Sequence, residues 1–121
     1  MRALTIIVAA PDPERLRGAL TLAAAQAALG GRARLFLQLD AVALLRAPIA
    51  APRDAGHKAA GLPSLEELLA EALSLGVVLS ACQSGMSLAG LSLADLPPGT
   101  EVTGPIALLQ AQTEADRLIF A

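Results

Sequence analysis

The chain has 121 residues, a formal net charge of −2 and a composition that is 55% hydrophobic, with two phenylalanines and no tyrosine or tryptophan. That length fits one domain with a single core. A weakly acidic chain without aromatic stacking platforms is unsuited to nucleic acid, which calls for a basic surface and exposed rings. One cysteine rules out an intrachain disulfide framework, and one histidine leaves no metal-ligand spacing, so neither a metal nor a cofactor is expected.

The first apolar run, Leu4 to Ala9, is continuous and β-branched-rich, as a strand covered on both faces would be. It is short, and Pro11-Asp12-Pro13-Glu14 follows at once, which favours a first strand over a cleaved signal. No stretch of about 18 uncharged apolar residues occurs, so no membrane span is expected and the chain reads as cytoplasmic. Asp12 is placed to cap a helix with Pro13 at its first position. The helix carries Leu16, Leu20, Ala23, Ala24, Ala27 and Ala28 at helical spacing and ends at Gly30-Gly31. The basic pairs Arg15 with Arg17 and Arg32 with Arg34 read as solvated flanks of elements.

Arg34 to Leu39 is a second strand, followed by a short segment, Asp40 to Arg46, of helical character. The stretch 47–63 has three prolines, two glycines and no apolar period, so it is expected to be a long loop, functional or mobile. Ser64 then opens a capping box with Glu67 for a helix that turns Leu65, Leu68, Leu69, Ala72 and Leu73 inward and stops at Gly76. Val77 to Ala81 is a third strand. A short helix to about Leu88 follows, with Gly90 as terminator. Asp95 reads as a turn residue before Pro97. Glu101-Val102-Thr103 is a short strand, Pro105 opens a last helix through about Thr113, and Ala115 to Phe120 closes the chain as a strand. Glu114 and Asp116 are expected at the surface, with Arg117 paired to one of them. Strands alternating with helices imply one α/β domain over residues 1–121, with a mostly parallel five-stranded sheet between helices on both faces.

The third strand delivers Cys82 to the carboxyl end of such a sheet, where ligands of open α/β folds collect. A thiol at a helix start faces unpaired N–H groups, which favour its thiolate and lower its value from about 8.5. Two readings of Cys82 stand: a reactive thiolate, or a small buried hydrophobe. The backbone N–H groups of Gln83, Ser84 and Gly85 are candidates for stabilising an anion there, and Ser84 is also a natural helix cap. His57, in the long loop, is a candidate auxiliary group folding over Cys82, against the alternative of a solvated loop histidine. Ser84 as a hydrolase nucleophile lacks the Gly-x-Ser-x-Gly frame.

The segment Gly76-Val77-Val78-Leu79-Ser80-Ala81-Cys82, followed by Ser87 and Gly90-Leu91, and the ending Glu114-Ala115-Asp116-Arg117-Leu118-Ile119-Phe120 together resemble the DsrE/DsrF-like family over nearly the whole chain. The resemblance implies a three-layer, flavodoxin-like or Rossmann-like domain that assembles as a trimer or hexamer. It implies further that a cysteine after the third strand, here Cys82, carries a persulfide and passes sulfur between a donor and an acceptor protein. The family also holds cysteine-free structural subunits. The alternative is therefore a non-catalytic oligomeric domain that binds a small ligand or partner protein, its cysteine structural.

Overall fold

The computed structural model describes residues 1–121 as one layered α/β unit. Five strands, β1 (Leu4–Val8), β2 (Ala33–Leu37), β3 (Val78–Cys82), β4 (Glu101–Thr103) and β5 (Arg117–Phe120), form one sheet in the order β4-β3-β2-β1-β5. Every pairing is parallel. Each strand is therefore followed by a crossing connection. These contain α1 (Pro13–Ala28), α2 (Asp54–Ala59), α3 (Leu65–Ser74), α4 (Gln83–Ala89) and α5 (Pro105–Gln110), with 3₁₀ segments at Leu39–Leu45 and Leu93–Asp95.

All five residues of β1 are buried, which is why its sequence is β-branched and apolar apart from Thr5. Residues paired in the parallel ladder share a face. On one face α1 packs on β1 and on α3, and Ile6 borders a cleft with Gly18, Ala19 and Leu22 of α1. Alanines at 19, 23, 24 and 72 are buried along these two helices, which lets them lie close to each other and to the sheet. On the opposite face Gln112, just past α5, donates through Nε2 to Thr5 Oγ1 at 3.1 Å. Arg34 crosses the same face, donating to Ser80 Oγ at 3.0 Å and pairing with Glu101 at 2.8 Å. That contact ties the three-residue edge strand β4 to the middle of the sheet and leaves Arg34 far less solvated than its sequence context suggests.

The caps follow the sequence closely. Asp12 accepts the Glu14 N–H at the head of α1 with Pro13 in the first turn, and Ser64 and Glu67 form the reciprocal capping box of α3. The structure departs from expectation at 47–63, which is not an unstructured loop: it contains α2. No residue of α2 is buried, so it imposes no apolar period on the sequence. It is held by polar contacts instead. Asp54 accepts the N–H of Ala51 and of Leu65 and pairs with Arg17 at 2.8 Å. Arg17 is itself no solubilising surface group: its side chain is 7% exposed, it binds Glu14 through both Nε and Nη2, and it donates to the Pro63 carbonyl. Arg117 likewise bonds Gln26 rather than Glu114 or Asp116. Asp116 accepts the Thr113 N–H.

The hydrogen bond from Arg17, together with those from the Ala51 and Leu65 N–H groups, holds the Asp54 carboxyl at about 2. Its folded value lies below its unfolded one, so its contribution to stability is complete above roughly pH 4 and is lost as pH falls through about 2. Urea midpoints measured from neutral pH downward should therefore separate wild type from Asp54→Asn at neutrality and converge toward pH 2. Arg17→Ala strands two carboxylates. It should cost about 2 kcal/mol at neutral pH, less than a wholly buried pair, because Glu14 and Asp54 keep contact with water.

Candidate functional site

β3 ends where its ladder ends, at the pairing of Cys82 with Thr103, and the chain enters α4 in the next residue. Cys82 is the N-cap of α4, in extended conformation with φ −71° and ψ 131°. At this position a serine or aspartate would accept an N–H from the first turn. Here Cys82 makes no side-chain capping hydrogen bond, but the N–H groups of Ser84 and Gly85 and the Ser84 hydroxyl lie near enough to favour its thiolate.

A third N–H comes from the turn that follows another strand. After β2 the chain turns at Leu39, whose φ of 52° is the only left-handed value outside glycine, and its N–H also faces Cys82. That conformation costs a leucine about 1–2 kcal/mol, so the surroundings must enforce it. Gly85 leaves room for it. A Cβ at that position would collide with the Leu39 carbonyl oxygen and the Val42 side chain, so glycine is what lets α4 lie flush on the 39–45 segment. Ala41, Val42 and Leu45 anchor that segment in the core. At its far end the Arg46 guanidinium bonds the Ala89 carbonyl, and Gly90, with φ 66°, closes α4.

Burial alone would push the Cys82 thiol up. The N–H groups of Leu39, Gly85 and Ser84 and the Ser84 hydroxyl outweigh it, so the thiol lies below its ordinary value. Cys82 is 3% exposed and lines none of the five clefts lined by residues such as Arg34, His57, Leu96, Lys58 and Phe120. The arrangement therefore encloses the sulfur and favours its thiolate through the backbone N–H groups beside it.

Of the residues singled out in the sequence, Ser84 and Gly85 face the sulfur. Gln83 is exposed, and its N–H is not among the groups that do so. His57 is elsewhere, in α2, where it lines the α1–α3 groove with Nε2 at 3.4 Å from Glu14 Oε1. Asp95 closes a small capping box with Ser92. Leu39 is the contributor that sequence reasoning misses. The only available signal was its place just past the end of the strand beside β3, since no glycine marks the turn. No group of three or more His, Cys, Asp or Glu side chains is arranged to hold a metal.

Gly85→Ala tests this arrangement. The added methyl group must displace the Leu39 carbonyl, costing about 1–3 kcal/mol and moving the Leu39 N–H off the sulfur. The thiol value, read from ultraviolet thiolate absorbance in a chain free of tyrosine and tryptophan, should rise toward that of an ordinary cysteine. A depressed folded value adds stability as pH climbs toward the unfolded value of about 8.5, and that increment is lost as pH falls through the folded value. Wild type should accordingly gain stability over Cys82→Ala between neutral pH and about 9.

Known proteins agree with this architecture. YchN from E. coli has a TM-score of 0.76 at 24% identity, with all of both chains covered. MTH1491 from Methanobacterium thermoautotrophicum, titled a protein of unknown function, gives 0.74 at 18% over all of both chains. BT1422 from Bacteroides thetaiotaomicron, also titled of unknown function, gives 0.69 at 17%, covering 98% of this chain and 94% of its own. No curated protein matches. The family model described as DsrE/DsrF-like matches residues 1–121, and the chain belongs to the DsrE/DsrF-like family.

Proposed function

We propose that the protein is a cytoplasmic sulfur carrier acting through Cys82. The observation that carries the reading is the place of Cys82, at the carboxyl end of a parallel strand and the N-cap of α4, where the nearby N–H groups of Leu39, Ser84 and Gly85 lower its thiol despite burial. The Cys82 thiolate attacks the sulfane sulfur of a donor. The donor's S–S bond breaks, its leaving group departs with the electron pair (sulfite, when the donor is thiosulfate), and Cys82 holds a persulfide anion. An acceptor thiolate then takes the outer sulfur and restores the Cys82 thiolate, with no net oxidation. The N–H donors stabilise the anion in both forms. Because the sulfur is nearly enclosed, loading requires a local opening of the 39–45 segment or of α4.

That same enclosure favours a second reading, in which Cys82 is structural and the domain binds a ligand or partner. Incubation with thiosulfate or polysulfide followed by intact mass distinguishes the two. The carrier gains the mass of one sulfur atom, released by reductant, and Cys82→Ala gains nothing. Wild type that stays unmodified near neutral pH, while alkylating readily when unfolded, establishes the structural cysteine.

The reading includes self-association. On the sheet face that carries α5, Leu118 and Phe120 pair with Thr5 and Ile7 and are exposed, as are Ile106 and Leu109 of α5. These exposed apolar side chains fit burial against a second copy of the chain. Sedimentation should give a homo-oligomer, a trimer or hexamer, that Phe120→Asp shifts to monomer without unfolding it.

A further inference from the structure

A polar cleft lies at the edge of the sheet opposite to Cys82. It has a volume of about 240 Å³ and opens at the amino ends of β1, β2 and β3, with Thr5, Arg32, Arg34, Gln112 and Asp116 among its walls. Thr5 and Arg34 are register partners on β1 and β2, so both side chains leave the same face of the sheet. Thr5 is 4% exposed, and its hydroxyl accepts the Gln112 Nε2 N–H, which leaves its own O–H to donate. Arg34 makes both its hydrogen bonds, to Ser80 on β3 and to Glu101 on β4, from Nη1. The Nε and Nη2 groups of that guanidinium are left over. Arg32 is exposed and belongs to none of the six ion pairs of the chain.

We propose that this cleft binds a short aliphatic carboxylate that carries a hydroxyl group at its other end. The Nε–Nη2 edge of an arginine is a planar fork that matches the two oxygens of a carboxylate, and Arg32 adds a second cation beside it. Thr5 and Gln112 supply the uncharged partners for the far end. The Arg34 guanidinium reaches Ser80 on β3 while Thr5 lies on β1, which is about two strand spacings, or roughly 10 Å. Hydrogen bonds of about 2.9 Å at each end leave a ligand about four carbons long. That is a small molecule, in keeping with a cleft below the size of most drug-sized pockets. A doubly charged phosphate suits the place less well. Asp116 lines the same cleft and Glu101 already holds Nη1, so a second negative charge on the ligand is opposed.

The test is a titration of the ¹⁵N-labelled chain with 4-hydroxybutyrate, butyrate and inorganic phosphate, followed by amide NMR shifts. The expected result is a saturable shift at Thr5, Arg34 and Gln112 with 4-hydroxybutyrate, and binding of butyrate and of phosphate at least about threefold weaker. Arg34→Lys keeps the charge and loses the fork, and should weaken 4-hydroxybutyrate about tenfold. Arg32→Ala removes an exposed side chain without an ion pair, so it leaves the fold intact, and should weaken binding about threefold or more. Thr5→Val removes the hydroxyl at nearly constant volume and should abolish the preference for 4-hydroxybutyrate over butyrate. The proposal is overturned by the absence of a saturable shift at these residues, by phosphate binding more tightly than 4-hydroxybutyrate, or by wild-type affinity in both arginine variants. Cys82→Ala should bind as wild type does, so the outcome is separate from that of sulfur loading.

Discussion

Every strand of the sheet runs the same way, and much of the molecule follows from that. Parallel neighbours cannot be joined by a tight turn, so the chain must leave the carboxyl edge and travel back before each new strand. The return segments cover the sheet on both faces, which is why β1 can be buried throughout and why so small a chain needs so much alanine and leucine. The same rule sends every strand's exit to one edge. There the end of β2 and the end of β3 lie side by side, and the turn after each can contribute to a single point in space.

At that point the controlling contact is Gly85 against Leu39. It joins two segments more than forty positions apart in sequence and makes room for a leucine in a conformation that side chains rarely adopt. It also brings three N–H groups toward one sulfur atom. Strain, close packing and charge stabilisation are thus one arrangement seen from three sides. A larger residue at 85 disturbs all of them together.

The elements that announce themselves in the sequence are those whose burial or capping is local. Leu4–Val8, the Asp12-Pro13 cap, the Ser64–Glu67 box and Glu101–Thr103 can each be read from adjacent residues, because apolar period and cap chemistry act over a few positions. What escapes is set by distant partners. The seat of α2 rests on Asp54 meeting Arg17, 37 residues away. Arg17 reads as a surface charge until its two carboxylates are found. Cys82 is legible as a thiol at a strand end, with Ser84 and Gly85 beside it. The Leu39 N–H is invisible, because a left-handed leucine leaves no mark when the room for it is made in another helix.

The two edge strands are very short, three residues in β4 and four in β5, and β4 carries the Arg34–Glu101 ion pair at its start. An edge this brief, with a charge pair beside it, offers few free backbone groups for another strand to join. Lateral growth of the sheet is therefore discouraged at both margins, and the molecule is protected from the edge-to-edge polymerisation to which open sheets are prone. Any assembly is directed to the broad faces, where side chains rather than backbone choose the partner and where the number of copies can be finite.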